Sequence, residues 1–162
     1  MKSVELPASA AVAGYTDPDG RRFGYVHVRH PGSRGLGIHL SAFFGAWGDA
    51  RVYADFRGYF HRLKMLGSDP TCDWLFLCDP YGVEENGTYY LGERGDLFVE
   101  RAMSVIIDRV TDAGGYTPDE TVMLGSSMGA TGALTLGLER GVAGIVAVSL
   151  HIDLDSCATR QH

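Results

Sequence analysis

Residues 124–129 read LGSSMG, and the five residues from Gly125 to Gly129 fit the pattern G-x-S-x-G. The apolar run TVML (residues 121–124) leads into this pattern and predicts a buried strand, and the small residues that follow predict a helix over 129–140. In a tight strand-to-helix turn the serine takes a strained backbone, and the flanking positions need glycine because strand and helix nearly touch. Such a turn exposes the Ser127 hydroxyl, although an ordinary turn with glycines for close packing fits the same letters.

Apolar runs of this kind recur along the chain and alternate with helical spacing. Residues 36–44, 73–78 and 144–150 are short, nearly continuous apolar runs, which is typical of strands buried on both faces of a parallel sheet. Apolar residues at three- and four-residue spacing predict two more helices, over 50–66 and 96–112. We expect Asp96 to cap the second of these helices, Gly114-Gly115 to stop it, and Gly67 to end the first.

The chain begins with a different pattern. Asp17-Pro18-Asp19-Gly20 is a turn signal between two predicted strands, at 10–16 and 23–30, and therefore indicates an opening hairpin. The whole order predicts one α/β domain over 1–162 with three layers: a mainly parallel sheet of about six strands, led by an antiparallel hairpin. Ligands in such sheets bind beyond the carboxyl ends of the strands, which here selects residues 45–49, 79–82, 126–129 and 151–155.

Composition excludes several functional classes. The 162 residues carry a net charge of −6, with 45% hydrophobic and 21% charged residues, so we expect a globular protein without a basic surface for nucleic acid. No apolar run is long enough to span a membrane, and the first residues do not resemble a signal peptide. Three cysteines without metal-ligand spacing are typical of reduced thiols in a cytoplasmic protein. No cofactor motif or metal-ligand cluster is visible, so we expect no cofactor.

With the serine turn in this context, the chain resembles the α/β-hydrolase fold over nearly its whole length. Two stretches, HLSAFFGAWGDARVYADFRGYFHRLKML and GSSMGATGALTLGL, are similar to hydrolase-fold proteins of bacterial capsular-polysaccharide biosynthesis. They also resemble, more distantly, hydrolase-fold components of accessory secretion systems that modify glycoproteins. The resemblance implies acyl transfer or deacylation on a glycan or other polar acceptor, with Ser127 carrying the acyl group.

The same resemblance assigns the groups that stabilise an oxyanion. The backbone N–H of Met128 is the first donor, since it follows the nucleophile at the start of a helix. The second donor comes from the loop after the third strand, where Gly45 or Ala46 can supply an N–H and Trp47 can line the site. An ordinary glycine turn with Trp47 anchored in the core explains that loop equally well.

The acid and the base of a triad are harder to place. The resemblance puts the histidine after strands that this chain lacks, so the chain is a piece of a longer hydrolase, a compact variant, or an inactive remnant. Asp153 follows the last strand, where some family members carry the acid, although a solvated loop or helix cap explains it as well. Of the six histidines, His151 stands at the carboxyl end of the strand beside the serine turn and is the candidate base or pocket residue, whereas His162 lies at the mobile chain end.

We expect the remaining histidines and the charged residues of the first helix to have no catalytic role. His27, His30 and His61 are expected away from the carboxyl ends of the strands, and His39 is expected to be a satisfied interior histidine. We expect Arg57, Arg62 and Lys64 to form a solvated helix face. Two hypotheses follow: a serine esterase or acyltransferase, and an inactive subunit that binds a partner or glycan. If the chain is a compact variant or an inactive remnant, an exposed strand edge at 144–150 predicts self-association.

Overall fold

The computed structural model describes residues 9–43, 51–53 and 56–154. It opens with the predicted hairpin, formed by β1 (Ala10–Thr16) and β2 (Arg22–Val28), which pair antiparallel along seven residues each. The Asp17 carboxylate accepts the backbone N–H groups of Asp19 at 3.0 Å and Arg21 at 2.7 Å, so the aspartate of the predicted turn signal closes the turn.

The remaining elements complete a six-stranded sheet with helices on its faces. In chain order they are β3 (Leu36–Leu40), β4 (Arg51–Tyr53), β5 (Phe56–Gly58), α1 (Leu63–Leu66), β6 (Asp73–Leu77), α2 (Phe98–Gly114), β7 (Thr121–Ser126), α3 (Met128–Arg140) and β8 (Gly144–Val148). The sheet order is β1-β2-β6-β3-β7-β8, and the last four strands of that order are parallel. The predicted fold class is confirmed, with β4 and β5 forming a separate two-stranded ribbon.

Two hydrophobic clusters lie on opposite faces of the sheet. On the first face, α2 and α3 pack over a large cluster that includes Leu40, Ile106 and Met123, all 0% exposed. On the second face, a smaller cluster holds Phe60 and Leu63 against the sheet residues Val26, Val28, Trp74, Phe76 and Cys78. Every residue of β3 and β6 is buried, as expected for strands covered on both sides.

Helix α2 confirms the predicted stripe and corrects its first residue. Its buried residues follow the three- and four-residue spacing from which the helix was predicted, and they include Val99, Ala102, Met103, Ile106 and Val110. Gly115 ends the helix in a left-handed conformation (φ 69°), which glycine adopts without strain. The prediction that Asp96 caps the helix is wrong: Leu97 holds that position, and the Asp96 carboxylate instead pairs with Arg101 at 2.5 Å.

The predicted helix over 50–66 is also wrong. The segment contains the β4–β5 ribbon, and within its described residues only Leu63–Leu66 is helical, a short helix that ends at Gly67. A Cβ on Gly58 would collide with Cys78 Sγ, so the ribbon lies directly against the end of β6. Arg62, immediately ahead of α1, has a left-handed backbone (φ 58°) that no continuous helix can contain.

Candidate functional site

The serine turn joins β7 to α3. Ser127 has φ 52° and ψ −123°, a conformation that costs a non-glycine residue roughly 1–3 kcal/mol. Its N–H donates to the carbonyl of Val148 at 2.9 Å, and its own carbonyl accepts the N–H of Ala130 at 2.9 Å. Ser127 stands at the N-cap position of α3, yet its hydroxyl makes no capping hydrogen bond. The hydroxyl of this half-buried serine is therefore held in a strained turn without the usual capping role.

The two flanking glycines are needed because backbone segments meet there. A Cβ on Gly125 would overlap the Gly129 carbonyl, and a Cβ on Gly129 would overlap the Leu40 carbonyl at the end of β3. It would also lie 2.8 Å from the carbonyl oxygen of Ser41. These contacts account for the spacing of the G-x-S-x-G pattern and bring the start of α3 against the end of β3.

Met128 is the first residue of α3, so its backbone N–H has no acceptor inside the helix. The side chain is fully buried and leaves no room for a Cβ at Gly87, which places the loop after β6 directly over the start of α3. The N-terminus of a 13-residue helix also favours negative charge. The Met128 N–H thus lies at a helix N-terminus without an acceptor inside the helix, and its role as an oxyanion donor stays a prediction.

The other predicted oxyanion residues, Gly45, Ala46 and Trp47, lie outside the described residues. The described part of that segment ends beside the serine turn. Ser41 follows β3, its N–H donates to the Leu77 carbonyl at 3.0 Å, and its carbonyl accepts the Tyr90 hydroxyl at 3.0 Å.

His151 follows β8 and contacts the first turn of α3. Its carbonyl accepts the Thr131 hydroxyl at 3.3 Å, from the first turn of α3, and its Nδ1 lies 3.3 Å from the Tyr89 hydroxyl. The structure therefore fixes both the backbone and the ring of His151 at this end of the sheet. Asp153, two residues further on, is exposed.

The loop after β6 is organised by a buried carboxylate. Asp79 is 0% exposed and accepts the N–H of Thr88 at 2.5 Å, the Thr88 hydroxyl at 2.8 Å and the N–H of Tyr90 at 2.9 Å. Burial raises the pKa of Asp79, an effect opposed by these hydrogen bonds. Tyr90 and Asn86 in the same loop are also buried.

On the other face of the sheet, three polar side chains meet beside the turn. Arg62 Nη1 lies 3.2 Å from Ser126 Oγ and 3.2 Å from His39 Nε2. Arg62 is exposed as predicted, but its predicted place on a helix is wrong, because it precedes α1. Its guanidinium reaches Ser126, the residue next to Ser127. His39 is interior as predicted, but the prediction that it is satisfied is wrong, because its buried Nδ1 has no hydrogen-bond partner among the described residues. Burial, with the nearby Arg62 charge, lowers the pKa of His39 to about 4, so this imidazole is neutral near pH 7.

His61 was expected on a helix away from the carboxyl ends of the strands, and this too is wrong. Its backbone N–H donates to the hydroxyl of Ser41 at 3.3 Å, which brings the residue to the end of β3. Burial lowers the pKa of its imidazole to about 4. No local sequence signal marks His61, since its position follows from the turn after β5.

The opposite end of the sheet has a separate cleft of about 340 Å³ lined by Arg29, His30, Ser33, Asp73 and Tyr116, among others. Asp73 already accepts the His30 N–H at 2.7 Å and the Ser33 hydroxyl at 2.6 Å. His30 thus lies at the amino end of β6, away from the serine turn, as predicted. The Asp73 carboxylate in this cleft is thus engaged in holding separate segments of the chain together.

Within residues 9–43, 51–53 and 56–154, no group of three or more His, Cys, Asp or Glu side chains is placed to hold a metal ion. In the same part of the chain, none of the helices has the length and apolar character needed to cross a membrane.

No known protein family matches the sequence, and no curated protein matches it. Solved structures do match. The Glycosylation Associate Protein (Gap123) complex of Streptococcus agalactiae aligns with a TM-score of 0.69 and 18% identity, over 94% of this chain and 26% of that one. A capsule O-acetyltransferase mutant of Neisseria meningitidis serogroup A, in complex with CoA, aligns with a TM-score of 0.68 and 20% identity, over 93% and 56% of the two chains.

A thermostable esterase aligns with a TM-score of 0.59 and 17% identity, over 85% of this chain and 40% of that one. An α/β hydrolase of Novosphingobium aromaticivorans aligns with a TM-score of 0.51 and 14% identity, over 87% and 44%. This chain therefore spans between about a quarter and just over half the length of these structures. The strand order, the serine turn and these neighbours agree, and the chain has the α/β-hydrolase fold.

Proposed function

We propose that this chain is the whole or a part of a serine-dependent acyl-transfer enzyme, an esterase or acyltransferase, in which Ser127 is the nucleophile. The observation that carries the proposal is the strained backbone of Ser127 together with a hydroxyl that makes no capping hydrogen bond. Glycine would adopt φ 52° at lower cost, so a serine at this position is explained by a use for its hydroxyl.

In the proposed reaction, Ser127 Oγ attacks the carbonyl carbon of an ester or thioester, and its proton passes to a base. The carbon–oxygen or carbon–sulfur bond to the leaving group then breaks, and the leaving alcohol or thiol takes that proton. Water or an acceptor hydroxyl releases the acyl group from Ser127 by the reverse sequence. The backbone N–H of Met128 stabilises the oxyanion, with Gly45 or Ala46 as the proposed second donor and Trp47 as a pocket residue. Each such donor is typically worth about 2.7–4 kcal/mol.

We assign the base to His151. To accept the serine proton on Nε2, His151 must carry its own proton on Nδ1, and the Tyr89 oxygen at 3.3 Å is the acceptor for it. Asp153 is the proposed acid, which would stabilise the protonated imidazole. A Tyr89→Phe variant tests the assignment, since loss of this acceptor should lower kcat.

A glycan or another polar acceptor is the substrate class we propose. Its support is the likeness of the fold to a capsule O-acetyltransferase and to a Glycosylation Associate Protein complex, both at low identity. Free thiols at Cys72 and Cys78 are typical of a reducing compartment, in keeping with a cytoplasmic protein.

Labelling with a fluorophosphonate probe tests the nucleophile. The native chain should form an adduct on Ser127, located by mass spectrometry, and Ser127→Ala should form none. Ser126→Ala is the matched control, because it removes the adjacent hydroxyl and should keep the label. A folded native chain that takes no label, or a label that persists in Ser127→Ala, would contradict the proposal.

The alternative is a catalytically inactive subunit that binds a partner or a second copy of itself. The observation that favours it is the edge strand β8, where Val146 and Val148 are 48% and 54% exposed and no residue is charged. Unprotected apolar edges of this kind pair readily with other chains. Light scattering tests self-association: a dimer that Val148→Lys converts to a monomer supports pairing through this edge, and a monomeric native chain contradicts it.

A further inference from the structure

The acyl-transfer chemistry proposed above leaves one cation beside the serine turn unexplained. Arg62 Nη1 lies 3.2 Å from the hydroxyl of Ser126, the residue that directly precedes the nucleophile. The left-handed backbone of Arg62 (φ 58°) turns the chain at this point, immediately before α1 begins. If the guanidinium only faced solvent, neither its contact with Ser126 nor the left-handed backbone of Arg62 would be required.

The groups that hold this guanidinium are neutral. Since a guanidinium only donates hydrogen bonds, His39 Nε2 at 3.2 Å must be the acceptor, and any ring proton of His39 must therefore be on Nδ1. His39 is 1% exposed, and its burial lowers its pKa to about 4. The imidazole of His61 likewise has a pKa of about 4, lowered by burial and then by the Arg62 charge. At neutral pH the guanidinium of Arg62 thus contacts an uncharged His39 ring.

The guanidinium keeps the capacity to bind an anion. Arg62 is exposed, and both of its described hydrogen bonds use Nη1. Among the described residues, no carboxylate lies within ion-pair distance of it. A planar fork of donors matches the two oxygens of a carboxylate or phosphate, and anchoring of one nitrogen fixes the direction of the rest.

We propose that Arg62, positioned by His39 and Ser126, binds a carboxylate or phosphate group of the substrate whose carbonyl Ser127 attacks. The inference rests on the proposed function for the identity of the nucleophile. It adds that the natural substrate is anionic close to the reacting carbonyl, on either the acyl group or the leaving group.

Matched esters test the inference and distinguish the two positions of the anion. p-Nitrophenyl hydrogen succinate and p-nitrophenyl butanoate have acyl chains of the same length, and only the first carries a carboxylate. 4-Acetoxybenzoate and phenyl acetate make the same comparison on the leaving group. In at least one pair, Arg62→Gln should lower kcat/KM for the anionic ester tenfold or more and change the neutral ester less than twofold.

Two further variants complete the design. Arg62→Lys keeps the charge and should retain part of the preference for the anionic ester. Lys64→Gln removes an exposed cation two residues away and should leave all four esters within twofold of the native chain. Equal losses on charged and neutral esters in Arg62→Gln, or the same selectivity loss in Lys64→Gln, would overturn the inference.

A binding measurement separates this inference from the proposed function. In Ser127→Ala, monomethyl succinate and inorganic phosphate should produce saturable shifts of the Ser126 amide resonance, and methyl butanoate should not. These shifts should disappear when Arg62→Gln is added, with circular dichroism showing that the variant is folded. If the native chain hydrolyses none of the esters but the anions bind in this way, the enzyme proposal fails and the anion site stands. No saturable anion binding to the folded protein would overturn the anion site.

Discussion

The two faces of the central sheet are built for different purposes. On the face that carries α2 and α3, the cluster is large and its aliphatic centre includes Ile106 and Met123, both fully buried. On the other face, the smaller cluster ends in His39, Arg62 and Ser126 beside the serine turn, and Val146 and Val148 of β8 are half exposed. We infer that the first face supplies most of the folding free energy and leaves the second face available for polar groups and contacts.

Truncation of one apolar residue on each face is the most direct way to break this comparison. Ile106→Ala should lower the free energy of unfolding by about 2–5 kcal/mol, since it leaves a cavity in the large cluster. Leu124→Ala, on the second face, should cost less, because Leu124 is only partly buried. Urea denaturation of both variants gives the two values. Equal costs would mean that the faces contribute alike.

The pH dependence of stability sharpens the comparison on the second face. His39 has a pKa of about 4 in the folded chain against an ordinary value of 6.5, so the unfolded chain takes up the proton first. The stability associated with neutral His39 is therefore fully present above pH 6.5 and is lost as the pH falls toward 4. The loss in the free energy of unfolding approaches about 3 kcal/mol. Urea denaturation from pH 7.5 to 4.5 should show a smaller loss for His39→Gln than for the native chain. Parallel pH profiles would contradict a neutral buried His39.

The serine turn joins β7 to α3, and substitutions there should change the free energy of unfolding by a smaller amount. Ser127→Gly should raise the free energy of unfolding by about 1 kcal/mol, because glycine adopts φ 52° with less strain, whereas Ser127→Ala should not. Both variants should lose the fluorophosphonate label. Thermal unfolding of the three chains compares them directly, and an equal midpoint for glycine and alanine would show that the backbone is not strained there.

The exposed residues of β8, on the second face, predict the smallest change in the free energy of unfolding. Val148→Lys should alter the stability of the monomer by no more than about 0.5 kcal/mol, because the side chain is already 54% exposed. Urea denaturation at low protein concentration measures this without interference from association. A large loss would mean that Val148 packs in the monomer.

Features that neighbouring residues determine could be predicted from the sequence, whereas features that depend on contacts between distant segments could not. The hairpin, the fully buried strands β3 and β6, α2 and the serine turn follow from patterns within a few residues and were predicted. The prediction that residues 144–150 form a strand buried on both faces is wrong, because β8 lies at the end of the strand order and none of its residues is fully buried. The segment 50–66 carries apolar residues at helical spacing, but Gly58 packs against Cys78, twenty residues away, and the left-handed Arg62 prevents a continuous helix. The contact of Arg62 with His39 and Ser126 joins three separate segments and leaves no local pattern, so it could not be foreseen.

The close approach at Gly129 also has a mechanical consequence. Because a Cβ on Gly129 would overlap the carbonyls of Leu40 and Ser41, the first turn of α3 packs directly against the end of β3, and we expect the two to shift together. A displacement at Ser41 would therefore also displace the serine turn at the start of α3. Hydrogen exchange at the first amides of α3 would then report on events in the neighbouring loop, and this contact would link occupancy of the site to the rigidity of the sheet.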